Sequence, residues 1–132
     1  KANDLTIEKI DDLANFTIAS FQKADKVLGS AFANAVDKSP LYMKIADQSQ
    51  QPKLLLKYRV MVLIMDKNIF KFFARELNIK DINEHFTFHH IFPETHYRVA
   101  FKNPQYVEMF NDVLAEYIQT EEYLSLRKNY NL

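Results

Sequence analysis

The 132-residue chain predicts an α/β fold: a mostly parallel sheet flanked by helices in three layers, followed by a C-terminal strand and helix tail. Two observations carry this reading. Short β-rich stretches alternate with stretches of helical period, the order expected of a parallel sheet with helical crossovers. Residues 60–65 (VMVLIM) are apolar on both faces, as a central parallel strand is, and the run stops at Asp66, where a helical pattern begins at once.

Thr6 caps a short helix carrying Ile7, Ile10 and Leu13, which Asn15 ends. Residues 16–21 (FTIASF) read as the first strand. Val27, Leu28, Ala31, Phe32, Ala35 and Val36 have the rhythm of an amphipathic helix ending near Asp37. Ser39-Pro40 breaks the chain, and residues 41–46 alternate as a second strand. Asp47 or Ser49 caps a helix with Pro52 in its first turn and Leu54, Leu55 and Tyr58 on its apolar side. The strand at 60–65 is expected at the centre of the sheet. Ile69, Phe70, Phe73 and Leu77 continue as a helix.

Beyond this point the pattern changes. Residues 86–92 and 96–102 read as two strands separated by Pro93 and Glu94. Asn103-Pro104 starts a long helix bearing Tyr106, Phe110, Val113, Leu114, Tyr117 and Ile118. Thr120 caps a last helix with Tyr123, Leu124, Leu126 and Tyr130. The division expected is an α/β domain over 1–92 and a tail over 93–132.

Composition removes several functions. Lys plus Arg and Asp plus Glu are 17 each, and the scattered lysines form no basic patch, so nucleic acid is not an expected partner. Without cysteine there are no disulfides, thiolate zinc sites or cysteine nucleophiles. A single glycine, Gly29, excludes glycine-rich phosphate loops. The longest apolar run is too short to cross a membrane. No serine lies in a nucleophile elbow, so no catalytic set and no cofactor are expected. His85, His89 and His90 lack a carboxylate or thiol at matching spacing and read as edge histidines, not metal ligands. The chain shows no signal peptide and opens on Lys1, which reads as a processed or trimmed chain.

Three stretches carry a resemblance: LTIEKIDDLANFTIASFQKA, LLLKYRVMVLIMDKNIFKFF and YRVAFKNPQYVEMFNDVLAEYIQTEEYLSLRKNY. They resemble the second lobe and returning tail of extracytoplasmic solute-binding proteins of bacterial ABC importers, the type II amino-acid-binding family. The family's usual glycine before the buried strand and acid early in it are replaced by Tyr58 and Met61. Its Gly-Thr-Thr loop is Lys23-Ala24-Asp25 here. The family's first lobe, which supplies an arginine for a ligand carboxylate, has no counterpart to its N-terminal part in these residues.

The resemblance implies a type II periplasmic-binding fold and non-catalytic binding of a small polar solute, such as an amino acid. It also implies a periplasmic or extracytoplasmic location and a membrane permease as partner. Asp66 then salt-bridges an amino group, or it only caps the helix that follows; one carboxylate can do both. Gln22, Lys23 and Ala24 present backbone N–H groups to a ligand carboxylate, or they form an ordinary strand–helix loop. The alternative function is a degenerate solute-binding domain acting as a sensor or protein-interaction module. The tail's apolar residues, Tyr97, Val99, Phe101, Tyr106, Phe110, Val113 and Tyr117, predict self-association, as a dimer, through that tail.

Overall fold

A computed structural model describes residues 5–130. The chain falls into two compact units, Lys1–Pro93 and Glu94–Leu132.

The first unit is α/β, built on a three-stranded parallel sheet. Its strands are β1 (Thr17–Phe21), β2 (Leu41–Ile45) and β3 (Val62–Ile64), in the order β2-β1-β3. Thr17 pairs with Leu41 on one side, and Ile18 pairs with Val62 on the other. The expectation that 60–65 is the central strand is therefore corrected: β1 is central and β3 is a three-residue edge strand. Burial explains the misreading. Ile64 and Val60 are buried, but Met61 is exposed and Val62 and Leu63 are half-buried. Unbroken apolarity here records one enclosed face and an enclosed lead-in, not two ladders. In β1 the small Ala19 and Ser20 are fully buried, and their size hid the enclosure.

Parallel register sets which residues share a face. Ile18, Tyr42, Val62 and Ile64 share one face and join Leu13, Ala24, Phe32 and Val36 in the core. Phe32 stacks edge-on against Tyr42 and Phe92, with ring centroids 6.1 and 5.7 Å away. Ala19 points to the opposite face; α3 (Gln51–Leu56) packs against β1 and β3.

The helical segments depart from expectation at defined places. The first is a 3-10 turn at Ile10–Asn15, held by Asp12, whose Oδ2 accepts from the N–H groups of Glu8 and Lys9. Those two bonds keep the Asp12 carboxyl below its ordinary value. The single helix expected from Val27 is two, α1 (Ala24–Val27) and α2 (Ser30–Asp37). Gly29 separates them at φ +87°, a conformation that costs any other residue dearly.

Two helices end in the same C-terminal motif, with a left-handed residue just beyond the cap. After α4 (Lys67–Glu76) that residue is Asn78, φ +56°; Asn78 N–H donates to Arg75 and Ile79 N–H to Ala74. After α3 it is Tyr58, φ +52°; Tyr58 N–H donates to Leu55 and Arg59 N–H to Leu54. Asparagine tolerates this conformation, whereas tyrosine is strained in it. Tyr58 is also where the resembled family usually has glycine.

Residues 86–92 and 96–102 are not strands; no ladder forms there among the described residues. The first stretch is anchored by side chains instead. Phe86 and Phe88 stack on Phe70 at 5.0 and 5.6 Å, Ile91 and Phe92 pack on the core, and His89 donates from Nδ1 to the Ile7 carbonyl at 3.1 Å. A short α5 (Ile82–His85) precedes it.

The second unit holds α6 (Gln105–Tyr117) and α7 (Glu121–Tyr130). Asn103 Oδ1 accepts from the Gln105 N–H at the start of α6, as the Asn-Pro pair predicts. Between the helices, Thr120 Oγ1 accepts from Tyr123 N–H. Among the described residues of this unit no side chain is buried.

Candidate functional site

The strand order fixes where a site can form. From β2 the chain returns across β1 to reach β3, so the direction of winding reverses between β1 and β3. In open parallel sheets, the crevice beyond the carboxyl ends of the strands at such a reversal is where ligands bind. The last β1–β3 pair is Ser20 with Ile64. Two steps further along each strand lie Gln22 and Asp66.

Asp66 is the N-cap of α4. Its Oδ1 accepts from the N–H groups of Asn68 at 2.7 Å and Ile69 at 3.1 Å, satisfying two donors that no carbonyl of the helix can reach. The cap is thus real; a carboxylate as a group has more acceptor sites than two bonds use.

Lys23 caps α1, and its carbonyl accepts from the N–H groups of Lys26 and Val27. Gln22 and Lys23 are exposed, whereas Ala24 is buried and packs in the core. Only the main chain of Ala24 can therefore meet a ligand. Because α1 is one turn long, its dipole is slight, and the charge available to an anion at this loop is the Lys23 ammonium.

Further polar groups gather at the carboxyl ends of the strands. Lys44 donates from Nζ to Asp25 Oδ2 at 2.7 Å. That hydrogen bond lowers the Asp25 pKa and raises that of Lys44. Asp25 Oδ1 is buried with no partner among the described residues. Beyond β2, Asp47 accepts at Oδ1 from the hydroxyl and N–H of Ser49, at 2.6 and 3.0 Å, and at Oδ2 from Gln50. These bonds, the Ser49 hydroxyl first, hold its carboxyl below the ordinary value. Gln51 is fully buried, and neither end of its carboxamide has a partner among the described residues.

Sequence reasoning did not single out Asp25, Lys44 or Gln51. Lys44 was legible in principle: strand alternation puts it on the face of Tyr42, toward the loop that holds Asp25. Gln51 had no such signal, since a glutamine in the first turn of a helix normally faces water. His89 is engaged with the Ile7 carbonyl, and no group of three or more His, Cys, Asp or Glu is placed to hold a metal among the described residues. No described helix is long and apolar enough to cross a membrane.

Compared with known proteins, the chain matches no family model, no curated protein and no solved structure.

Proposed function

We propose that the chain binds a small polar solute without transforming it, as a solute-binding protein of an ABC transport system or a part of one. The observation that carries this reading is the reversal between β1 and β3, which brings the Gln22–Ala24 loop and Asp66 to the crevice edge. A zwitterion suits the pair: the Asp66 carboxylate takes an ammonium, and Lys23 with the loop N–H groups takes a carboxylate. The resemblance described above supports the same assignment, the type II periplasmic-binding class and an extracytoplasmic setting with a permease as partner.

The second reading is a domain of this class whose solute site has decayed into a sensor or interaction module. It is favoured by the exposed side chains of the second unit and by the Lys23-Ala24-Asp25 loop, which lacks hydroxyl donors.

A thermal-shift screen of free amino acids and related zwitterions tests the first reading, because a ligand that binds only the native state raises its melting temperature. The expected result is a hit whose calorimetric affinity falls at least tenfold in Asp66→Ala and in Lys23→Ala. Asp66→Ala should also cost about 1 kcal/mol of stability through the lost cap. A hit unaffected by both substitutions would move the site elsewhere, and no hit across the screen favours the second reading.

A further inference from the structure

The end of α3 carries a feature that the fold itself does not use. Tyr58 holds the left-handed position of the helix's C-terminal motif at φ +52°, where glycine or asparagine is the ordinary occupant. A strained residue persists where something else requires it, and function is the usual reason. Packing within the chain is not the reason here. Tyr58 is 78 % exposed, and its side chain has no hydrogen bond or ring contact among the described residues.

Its neighbours share that exposure. Leu56 and Met61 are exposed apolar side chains on either side, and exposed Lys57 and Arg59 flank it directly. Neither cation has an acid within ion-pair distance among the described residues. Lys53 lies one helical turn before Lys57, and its Nζ donates to a neutral partner, Gln50 Oε1, at 3.2 Å. The local sequence is one-signed: no Asp or Glu occurs from Gln48 to Met65, so a chain of zero net charge is cationic at this place.

We propose that this turn docks on an anionic lipid surface, with the Tyr58 ring at the level of the headgroups and Lys53, Lys57 and Arg59 toward the phosphates. Tyrosine suits that boundary, because its ring is apolar and its tip is polar. Cations near anionic lipid are held by the surface potential. A protein partner fits less well, since lysine is depleted from the cores of protein interfaces and two of the three cations here are lysines. Three cations are fewer than strong lipid-binding clusters use, so the attachment is weak and reversible. Residues 57–61 lie where the chain enters β3, at the amino edge of the sheet, whereas the crevice lies beyond the carboxyl edge. The inference therefore does not depend on the solute reading.

Sedimentation with lipid vesicles tests it. The native chain is expected to sediment with vesicles of phosphatidylcholine and phosphatidylglycerol in equal parts, not with phosphatidylcholine alone, and to be released as salt is raised. Each cation removed should weaken the association about fivefold, so K57A/R59A should lose most of it. Tyr58→Gly should weaken it severalfold with a melting temperature no lower than that of the native chain, which separates lost docking from lost folding. The chain has no tryptophan, so Tyr58→Trp supplies a local probe that keeps an interfacial ring. Its emission should shift to the blue on the mixed vesicles alone. No association of the native chain with the mixed vesicles would overturn the proposal and leave the turn to an acidic protein. Equal binding to both vesicle types, an unshifted Tyr58→Trp emission, or full binding by both K57A/R59A and Tyr58→Gly would overturn it as well.

Discussion

Phe32 and Phe110 occupy similar places in the sequence, each on an amphipathic helix with apolar neighbours three and four residues away. Their surroundings differ completely. Phe32 has no exposed surface and sits between Tyr42 and Phe92, whereas Phe110 is 37 % exposed and touches Phe101 at 5.4 Å. Helix α2 rests on the sheet and on the 3-10 turn before it. Helix α6 belongs to a unit without a buried side chain among its described residues. Periodicity reports that a helix face needs cover, but it does not say what provides the cover.

The sharpest way to break this comparison is to place a charge in each setting. Ile18→Asp puts a carboxylate into a fully enclosed position on the central strand and should abolish cooperative unfolding. Val62→Asp, half-buried on the edge strand, should lower the melting temperature but leave a folded protein. Equal damage from the two would mean that the edge is as enclosed as the centre.

Next in size is the aromatic pair itself. Phe32→Ala should cost about 3–5 kcal/mol in chemical denaturation. Phe110→Ala should change the stability of the sheet-bearing unit by less than about 1 kcal/mol. A comparable loss at both positions would remove the contrast.

These two predictions mark what the sequence made legible. Strand positions 17–21 and 41–45, the parallel pairing and the Asp66 cap follow from alternation and capping chemistry. The centre of the sheet did not. Ala19 and Ser20 are small and one is polar, so the most enclosed strand looked less apolar than its neighbour. Residues 86–92 alternate like a strand, yet Phe86, Phe88 and Phe92 are fixed by ring contacts; a period of two records alternate burial, which side-chain anchoring also produces. Of the candidate site, Asp66 was readable as a strand end meeting a helix start. Its adjacency to Gln22 was not, because it depends on strand order.

A smaller effect is expected at the strained C-terminal residue of α3. Tyr58 is 78 % exposed, so little packing is lost on truncation. Tyr58→Gly relieves a left-handed tyrosine and should raise stability by up to about 1 kcal/mol, less the entropy that glycine adds to the unfolded chain. Asn78→Gly, starting from a residue that tolerates the conformation, should gain less. The difference in melting temperature between the two variants checks the assignment.

The smallest effect is on pH dependence. Asp12, Asp25 and Asp47 have folded-state pKa values below their ordinary ones. The unfolded chain therefore binds protons more readily below about pH 4, where free aspartate titrates. Their stabilisation is complete above that range and is lost as pH falls through the folded-state values. Solvent screens all three, so the expected change is a modest drop in melting temperature between pH 5 and 3, reduced in Asp47→Asn. A rise in melting temperature over that interval would contradict it.

The order β2-β1-β3 also has a consequence for how the chain assembles. The strand that comes first in the sequence needs both later strands as partners, and it has neither when it is made. Leu41 can reach Thr17 by closing a shorter loop than Val62 needs to reach Ile18, so β1 and β2 are expected to pair first, with α2 packing over them. Ser39 favours that step: its hydroxyl donates to the Phe16 carbonyl at 2.6 Å and accepts from the Leu41 N–H at 3.3 Å, joining the entrances of the two strands. Until β3 arrives, one edge of β1 stays open to any extended segment, including β3 of another molecule. The last strand to dock is also the one that carries Asp66 to the crevice, so the candidate site is completed only at the end of folding.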